Sequence, residues 1–240
     1  VGRLGLPAAA IGVGMAFVDD ARWWITTRQQ WGQPVGKHQA IARMVSSYAA
    51  HLFAMKSMVY LTCALADHRN VDIRLEAAAA KYFCSETLYR ILDDYLQVRG
   101  GRGYERATSL YERGERPTSI EMAIRDMRVG RIFEGSSQVM HLIMAREALD
   151  THFKLVMPIL QPKPGQKVSK GEAMLKAAGF YSTWLPKLFM PETGHHFEAR
   201  HLGEANRKHL AFAGKTSKRL ARRLFATMAI GLFLTMQFGL

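Results

Sequence analysis

Between His38 and about His68 the apolar residues Ile41, Met44, Val45, Tyr48, Leu52, Met55 and Val59 recur at spacings of three and four, the period of a helix that buries one stripe. Upstream, from Leu6 to about Arg28, the chain is rich in Ala, Ile, Met and Trp, with few breakers after Pro7. That predicts one long helix, stopped by the turn Trp31-Gly32-Gln33-Pro34. His68-Arg69-Asn70 is a short polar break. Ile73 to Val98, without proline, predicts a third helix ended by Gly100-Gly101-Arg102-Gly103. Thr118 or Ser119 can cap a fourth run with Glu121 in its first turn, and Gly135-Ser136-Ser137 separates it from a fifth, Gln138–Phe153, with Ser137 as the expected cap. Strand signals are nearly absent, as are internal repeats. The pattern therefore predicts an all-α protein, an up-and-down four-helix-type bundle with additional C-terminal helices.

The three prolines and glycine of Pro158-Ile159-Leu160-Gln161-Pro162-Lys163-Pro164-Gly165 read as a linker, because they cannot continue a helix. The expected domains are thus a helical bundle over 1–157 and a basic helical extension over 158–240. The extension carries a helix around Gly171–Phe180, then an aromatic and proline-containing connection, then a basic-to-apolar run from about Glu204. Its uncharged end, Phe225–Leu240, is shorter than the roughly 20 apolar residues that cross a bilayer. An amphipathic helix packed on the bundle or resting on a membrane surface fits better.

The net charge of +13 sharpens this division. Residues 1–150 hold 19 Lys/Arg against 16 Asp/Glu, whereas 151–240 hold 14 against 4. The basic character sits in the extension, where it could meet an anionic membrane, a nucleic acid, an acidic subunit or only water. Cys63 and Cys84 lie in apolar helical stretches without metal-type spacing, and are expected to be buried free thiols in a reducing compartment. The chain begins at Val1 with no charged-then-apolar leader, and is read as a piece of a longer one.

Two places could carry chemistry. Glu134, between Phe133 and Gly135 at a turn between helices, stands where a partly desolvated carboxylate could act as a general base. Gly100-Gly101-Arg102-Gly103-Tyr104 follows a helix rather than a strand, so it lacks the dinucleotide-binding context. It still offers backbone N–H groups to a large anionic ligand.

The order of several blocks says more than any one of them. Along the chain come Arg3, then Thr27-Arg28-Gln29-Gln30-Trp31-Gly32-Gln33-Pro34, His38-Gln39-Ala40-Ile41 and Gln97-Val98-Arg99-Gly100-Gly101-Arg102-Gly103-Tyr104. Arg125-Asp126, Ile132-Phe133-Glu134-Gly135-Ser136-Ser137-Gln138 and Ala145-Arg146-Glu147 follow. Over about the first 150 residues this succession closely resembles the C-terminal helical domain of the acyl-CoA dehydrogenases.

The resemblance implies FAD as cofactor and an acyl-CoA thioester as substrate, in α,β-dehydrogenation of the fatty acid β-oxidation type. Arg28, Gln29, Gln30 and Trp31 match the stretch that reaches the flavin of a neighbouring subunit, Trp31 standing where the family usually has phenylalanine. His38 with Gln39, Gln97 to Gly101 (Gln97, Val98, Arg99, Gly100, Gly101), and Ser136, Ser137 and Gln138 match further flavin contacts. Glu134 matches the base that removes the α-proton while the β-hydrogen leaves as hydride to flavin N5. Gly135 would border the substrate, and Arg3 matches a substrate-side arginine, with an ion pair at the helix start as its alternative.

A flavin site shared between subunits implies a homodimer or homotetramer, and the family passes electrons to an electron-transfer flavoprotein. The expected location is the bacterial cytoplasm or the mitochondrial matrix, with peripheral membrane contact through the extension, which resembles those of very-long-chain members. Glu105 to Ile124 is longer than in the compact members, and Arg99 and Arg102 add charge beside the glycine turn. The competing readings are a family-like scaffold whose basic tail binds nucleic acid or a membrane surface, and a subunit kept only for interaction.

Overall fold

The Ala-rich stretch after Gly2 folds as helix α1 (Gly2–Thr27), continuous through Pro7, whose missing N–H removes one backbone bond in an early turn. The computed structural model describes residues 2–68, 70–160, 169–190 and 201–238, and these are helical almost throughout, as the periodicity predicts. Helix α2 (Gln39–Asp67) follows the predicted stripe, with Val45, Tyr48, Leu52, Met55 and Val59 buried. Helix α3 (Arg74–Arg99) buries Cys84, Leu88, Ile91, Leu92 and Tyr95. Arg69, in the predicted break between α2 and α3, lies outside the described residues. Helices α1, α2 and α3 pack on one another around a shared core, against which α6 (Ile120–Val129) seats Ile120. Helix α7 (Ser137–Leu160) is fastened along α3 by Tyr82 against His141, with ring centroids 4.4 Å apart, and by Arg74 to Glu147 at 3.1 Å.

Several local expectations are corrected. Residues 29–34 form a two-residue hairpin, β1 (Gln29–Gln30) and β2 (Gln33–Pro34), paired Gln29 to Pro34 and Gln30 to Gln33. Its tip needs positive φ at both central residues, which Trp31 (51°) and Gly32 (76°) supply. The stripe of α2 runs on through buried Thr62, leaving Cys63 exposed on the neighbouring face, and only Cys84 is buried. The predicted capping hydroxyls serve elsewhere: Ser119 makes no side-chain cap, Thr118 Oγ1 donates to Asp20 at 2.9 Å, and Ser137 Oγ donates to Glu86. At α7 it is Ser136 Oγ that accepts from a backbone N–H, that of Val139 at 3.4 Å. Pro158 does not open a linker, since α7 continues to Leu160; the remainder of the predicted linker, 161–165, lies outside the described residues.

The chain divides into two compact units, Val1–Thr151 and His152–Leu240. In the second, α8 (Lys170–Phe189) runs well past the predicted end at Phe180, with Pro186 in its last turn, and α9 (Glu204–Phe238) follows the predicted basic-to-apolar run. Residues 239 and 240 of that run lie outside the described residues. His152 anchors the unit's aromatic cluster: its ring lies near-parallel to Tyr181 and edge-on to Trp184, and Nδ1 is 3.1 Å from the Tyr181 hydroxyl. The last carbonyls of α8 are met by cations from α9, Leu188 O by Arg222 at 3.0 Å and Met190 O by Lys218 at 3.2 Å.

Between Gly101 and Ile120 the long segment is packed rather than loose. Short helices α4 (Gly101–Tyr104) and α5 (Ala107–Glu112) bring Glu105 and Glu115 against Arg102 and Arg113, and Leu110 is fully buried. Its far end docks on Asp20 of α1. That carboxylate is 7% exposed and accepts from Tyr95 and Arg99 (3.1 Å) of α3 and from Thr118, with Arg116 at 3.4 Å. Removing one member of a buried pair strands the other, so Asp20→Ala in the full-length protein is expected to cost about 3–5 kcal/mol. Urea denaturation measures that loss, and Asp20→Ala with wild-type stability contradicts the account.

Candidate functional site

Two sets of predicted residues gather at opposite ends of α1. The first lines a groove of about 690 Å³. Arg28, Gln30, Trp31, His38, Gln97, Val98, Arg99, Gly100 and Gly101 all border it, together with Trp24 and Arg102, whereas Gln29 and Gln39 are exposed outside its lining.

Each wall has a physical cause. The hairpin projects Trp31, 84% exposed, and holds its ring edge-on to His38 at 5.3 Å. His38 lies with Nε2 3.3 Å from Gln30 O and Nδ1 3.2 Å from the Gln33 amide nitrogen. A carbonyl can only accept, so the arrangement selects the tautomer with its proton on Nε2. Across the groove α3 ends at Gly100, with φ 61° and ψ −144°, a conformation open to glycine alone. No atom lies within 4 Å of where side chains at Gly100 and Gly101 would start, so backbone is presented bare to the groove.

The groove's charge is smaller than the sequence implies. Arg99 is 4% exposed, paired with Asp20 and laid over the Trp24 ring at 4.3 Å. Arg102 is paired with Glu105 at 3.1 Å and Glu115 at 2.9 Å. Arg28 remains exposed, beside the Trp24 ring at 5.8 Å. Exposed guanidinium, bare glycine backbone and exposed indole together fit a phosphate-bearing aromatic cofactor such as a flavin nucleotide.

The second set is the loop between α6 and α7. Glu134 has φ 53° and Gly135 φ 96°, so consecutive residues are left-handed. At φ 96° a side chain on Gly135 would be strained whatever the space around it, so the position favours glycine. Contrary to the expected partial desolvation, the Glu134 side chain is exposed. It lies at the start of α1, where a methyl added to Gly2 would be 3.1 Å from Glu134 Oε2. Arg3 follows Gly2, and among the described residues no ion pair of its side chain is found. Of the serines and amide beyond Gly135, Ser137 is buried on Glu86, while Gln138 is exposed.

Two α3 residues that the sequence reading passed over hold this loop. Glu86 takes Arg131 in a two-point pair, Nε at 2.8 Å and Nη2 at 2.8 Å, and also the Ser137 hydroxyl. Lys81, 1% exposed, donates to Gly135 O at 2.6 Å. The available signal was register: Lys81 and Cys84 fall on the stripe of α3 that goes on to buried Leu88, Ile91 and Tyr95.

Burial alone would raise the Glu86 carboxyl, but hydrogen bonds from Arg131 and Ser137 and the arginine charge outweigh it and hold the group below its ordinary 4.5. A depressed carboxylate stabilises the fold above the unfolded value and loses that contribution as pH falls through the folded one. Hydrogen exchange of residues 131–138 is therefore expected to be constant from neutral pH to about pH 5, after correction for intrinsic rates, and to accelerate below 4.5. Glu86→Gln should remove that acid-dependent step.

A family model described as acyl-CoA dehydrogenase, C-terminal domain, matches residues 1–149. The probable acyl-CoA dehydrogenase FadE10 of Mycobacterium tuberculosis is 45% identical over 228 residues, covering 95% of this chain and 35% of the relative. The mitochondrial very long-chain specific acyl-CoA dehydrogenase of Mus musculus is 31% identical over 144 residues, 60% of this chain and 20% of that protein. Among solved structures, the butyryl-CoA dehydrogenase of Megasphaera elsdenii superposes with a TM-score of 0.54 at 26% identity, over 62% of this chain and 36% of that one. The chain thus spans about a third or less of the length of these relatives.

Proposed function

The chain belongs to the acyl-CoA dehydrogenase family, and from that premise we propose that it is the flavin-binding helical part of an enzyme that dehydrogenates an acyl-CoA thioester between its α and β carbons. The observation that carries the reading is Glu134: an exposed carboxylate on a left-handed residue, on a loop held by Lys81 and Glu86. A left-handed glutamate costs free energy, on the order of 1–3 kcal/mol, and such conformations cluster where geometry serves function. Glu134 takes the α-proton on its carboxylate, and its own backbone N–H polarises the thioester carbonyl so that the proton becomes acidic enough to leave. Gly135 leaves room for the substrate beside the base, and Arg3 stands on the substrate side. A bound FAD supplies the hydride acceptor.

The groove and the base loop lie roughly 33 Å apart along α1, from Gly2 to Trp24 at about 1.5 Å per residue. A groove that far from the base serves a different flavin, so Arg28, Trp31, His38 and Gln97 to Gly101 hold the cofactor of a second subunit, while Glu134 and Ser136 face their own. The assembly is a homodimer or homotetramer, and its electrons pass to an electron-transfer flavoprotein. Glu134→Gln in the full-length protein is expected to keep bound FAD and lose acyl-CoA-dependent bleaching of the flavin. Bleaching at the wild-type rate would sink the assignment.

A second property is favoured by α9. Exposed Phe212, Leu220 and Leu224 fall on one row of that helix, interrupted only at Thr216, and exposed Lys215, Arg219 and Arg223 form the adjoining row at four-residue steps. An apolar row flanked by a basic one suits an anionic lipid surface better than a nucleic acid, which would call for aromatics interleaved with the charges. Sedimentation with vesicles is expected to carry down the full-length protein when phosphatidylglycerol is present and not with phosphatidylcholine alone. Phe212→Ser with Leu220→Ser should weaken that binding, and equal sedimentation with both lipids contradicts the reading.

A further inference from the structure

Lys81 occupies a position that stability alone does not explain. It sits among Ala77, Ala78, Ala80 and Cys84 on the buried side of α3 and is the only buried lysine among the described residues. Beside it is an apolar cavity of about 100 Å³, lined also by Leu6, Val13, Leu88 and Phe133. Burial pulls the ammonium below the ordinary lysine value, while the carboxylates of Glu86 and Glu134 pull it up. A methionine would fill the same space without taking a charge out of water, and replacing buried charges by apolar groups of like volume is often neutral or stabilising.

What the ammonium contributes instead is directional. Its hydrogen bond to Gly135 O fixes the peptide that follows two consecutive left-handed residues, the first of them Glu134. Glu86, five residues further along α3, fixes Arg131 and Ser137 on either side of the same loop. We propose that Lys81 is a positioning residue for Glu134, its ammonium holding the Gly135 carbonyl so that the carboxylate and its backbone N–H are presented in one geometry. The inference rests on the reading of Glu134 as the base.

The test uses the full-length FAD-loaded protein with Lys81→Met, which removes donor and charge, and Lys81→Gln, which keeps a donor. Lys81→Met is expected to retain FAD and its melting temperature, lose about a hundredfold in kcat with KM within about twofold, and exchange the amides of 131–140 about tenfold faster than wild type. Lys81→Gln is expected to recover part of both the rate and the protection. Wild-type kcat, or unchanged exchange over 131–140, in Lys81→Met overturns the proposal. If Lys81→Met fails to fold, Lys81→Gln decides: intermediate values in both readouts support it and wild-type values overturn it. Loop exchange is measured without substrate, so if Glu134→Gln still bleaches flavin, the base assignment fails while the hold of Lys81 on the loop is judged separately.

Discussion

A carboxylate taken out of water has to find partners for its lone pairs inside the protein, and Asp20 finds them on two separate pieces of chain. Tyr95 and Arg99 stand one turn apart on α3, and Thr118 and Arg116 come from the segment leading into α6. Only one register of α1 against α3 brings all of them to Asp20. That register has consequences at both ends of the pair. At the near end, Arg99 is laid across Trp24, whose indole N–H donates to Val98 O at 3.3 Å, and the groove acquires a fixed wall. At the far end the same alignment sets Gly2 of α1 and Lys81 and Glu86 of α3 around the loop that carries Glu134.

Among the described residues the two non-glycine positions with positive φ are Trp31 and Glu134. One is the exposed tip of the hairpin beside the groove, the other the carboxylate of the loop. Strain of this kind persists where the surroundings over-determine it. Around Trp31 the determinants are the hairpin pairing and the His38 ring; around Glu134 they are the two α3 side chains. The bundle core therefore acts on the proposed chemistry through α3, which carries both side chains that hold the Glu134 loop.

Helix positions were legible wherever burial follows a period, as in α2, where the predicted stripe is the observed one. Where the sequence misled, a local rule lost to a tertiary partner. Proline at 158 and 186 was read as a break, yet each removes only one backbone donor, and α8 is held past Phe180 by Tyr181 and Trp184 on His152. Hydroxyls at Thr118 and Ser137 were read as caps, but a buried carboxylate is a stronger acceptor to satisfy than a helix end open to water. Lys81 and Asp20 went unread for a related reason. A periodic pattern marks the positions that should be apolar, and it takes the structure to say what a charge at such a position is paired with.

Arg99 shows how a motif can be matched in place while its charge is spent differently. By position it belongs with Gln97, Val98 and the two glycines that border the groove, and it does border it. Its guanidinium, however, is buried and neutralised by Asp20, so it cannot add a full positive potential for phosphate. Arg102, though partly exposed, is paired with Glu105 and Glu115 of the long segment. The groove is left with Arg28 as its solvent-facing cation, and with bare backbone at Gly100 and Gly101. The Gly100 N–H is already donated to Gln97 O at 3.1 Å, so the exposed Arg28 guanidinium is the groove's main attraction for an anion. The extra arginines and their acidic partners serve to pin the long segment beside the groove, where Arg102 and Glu105 form one rim of it.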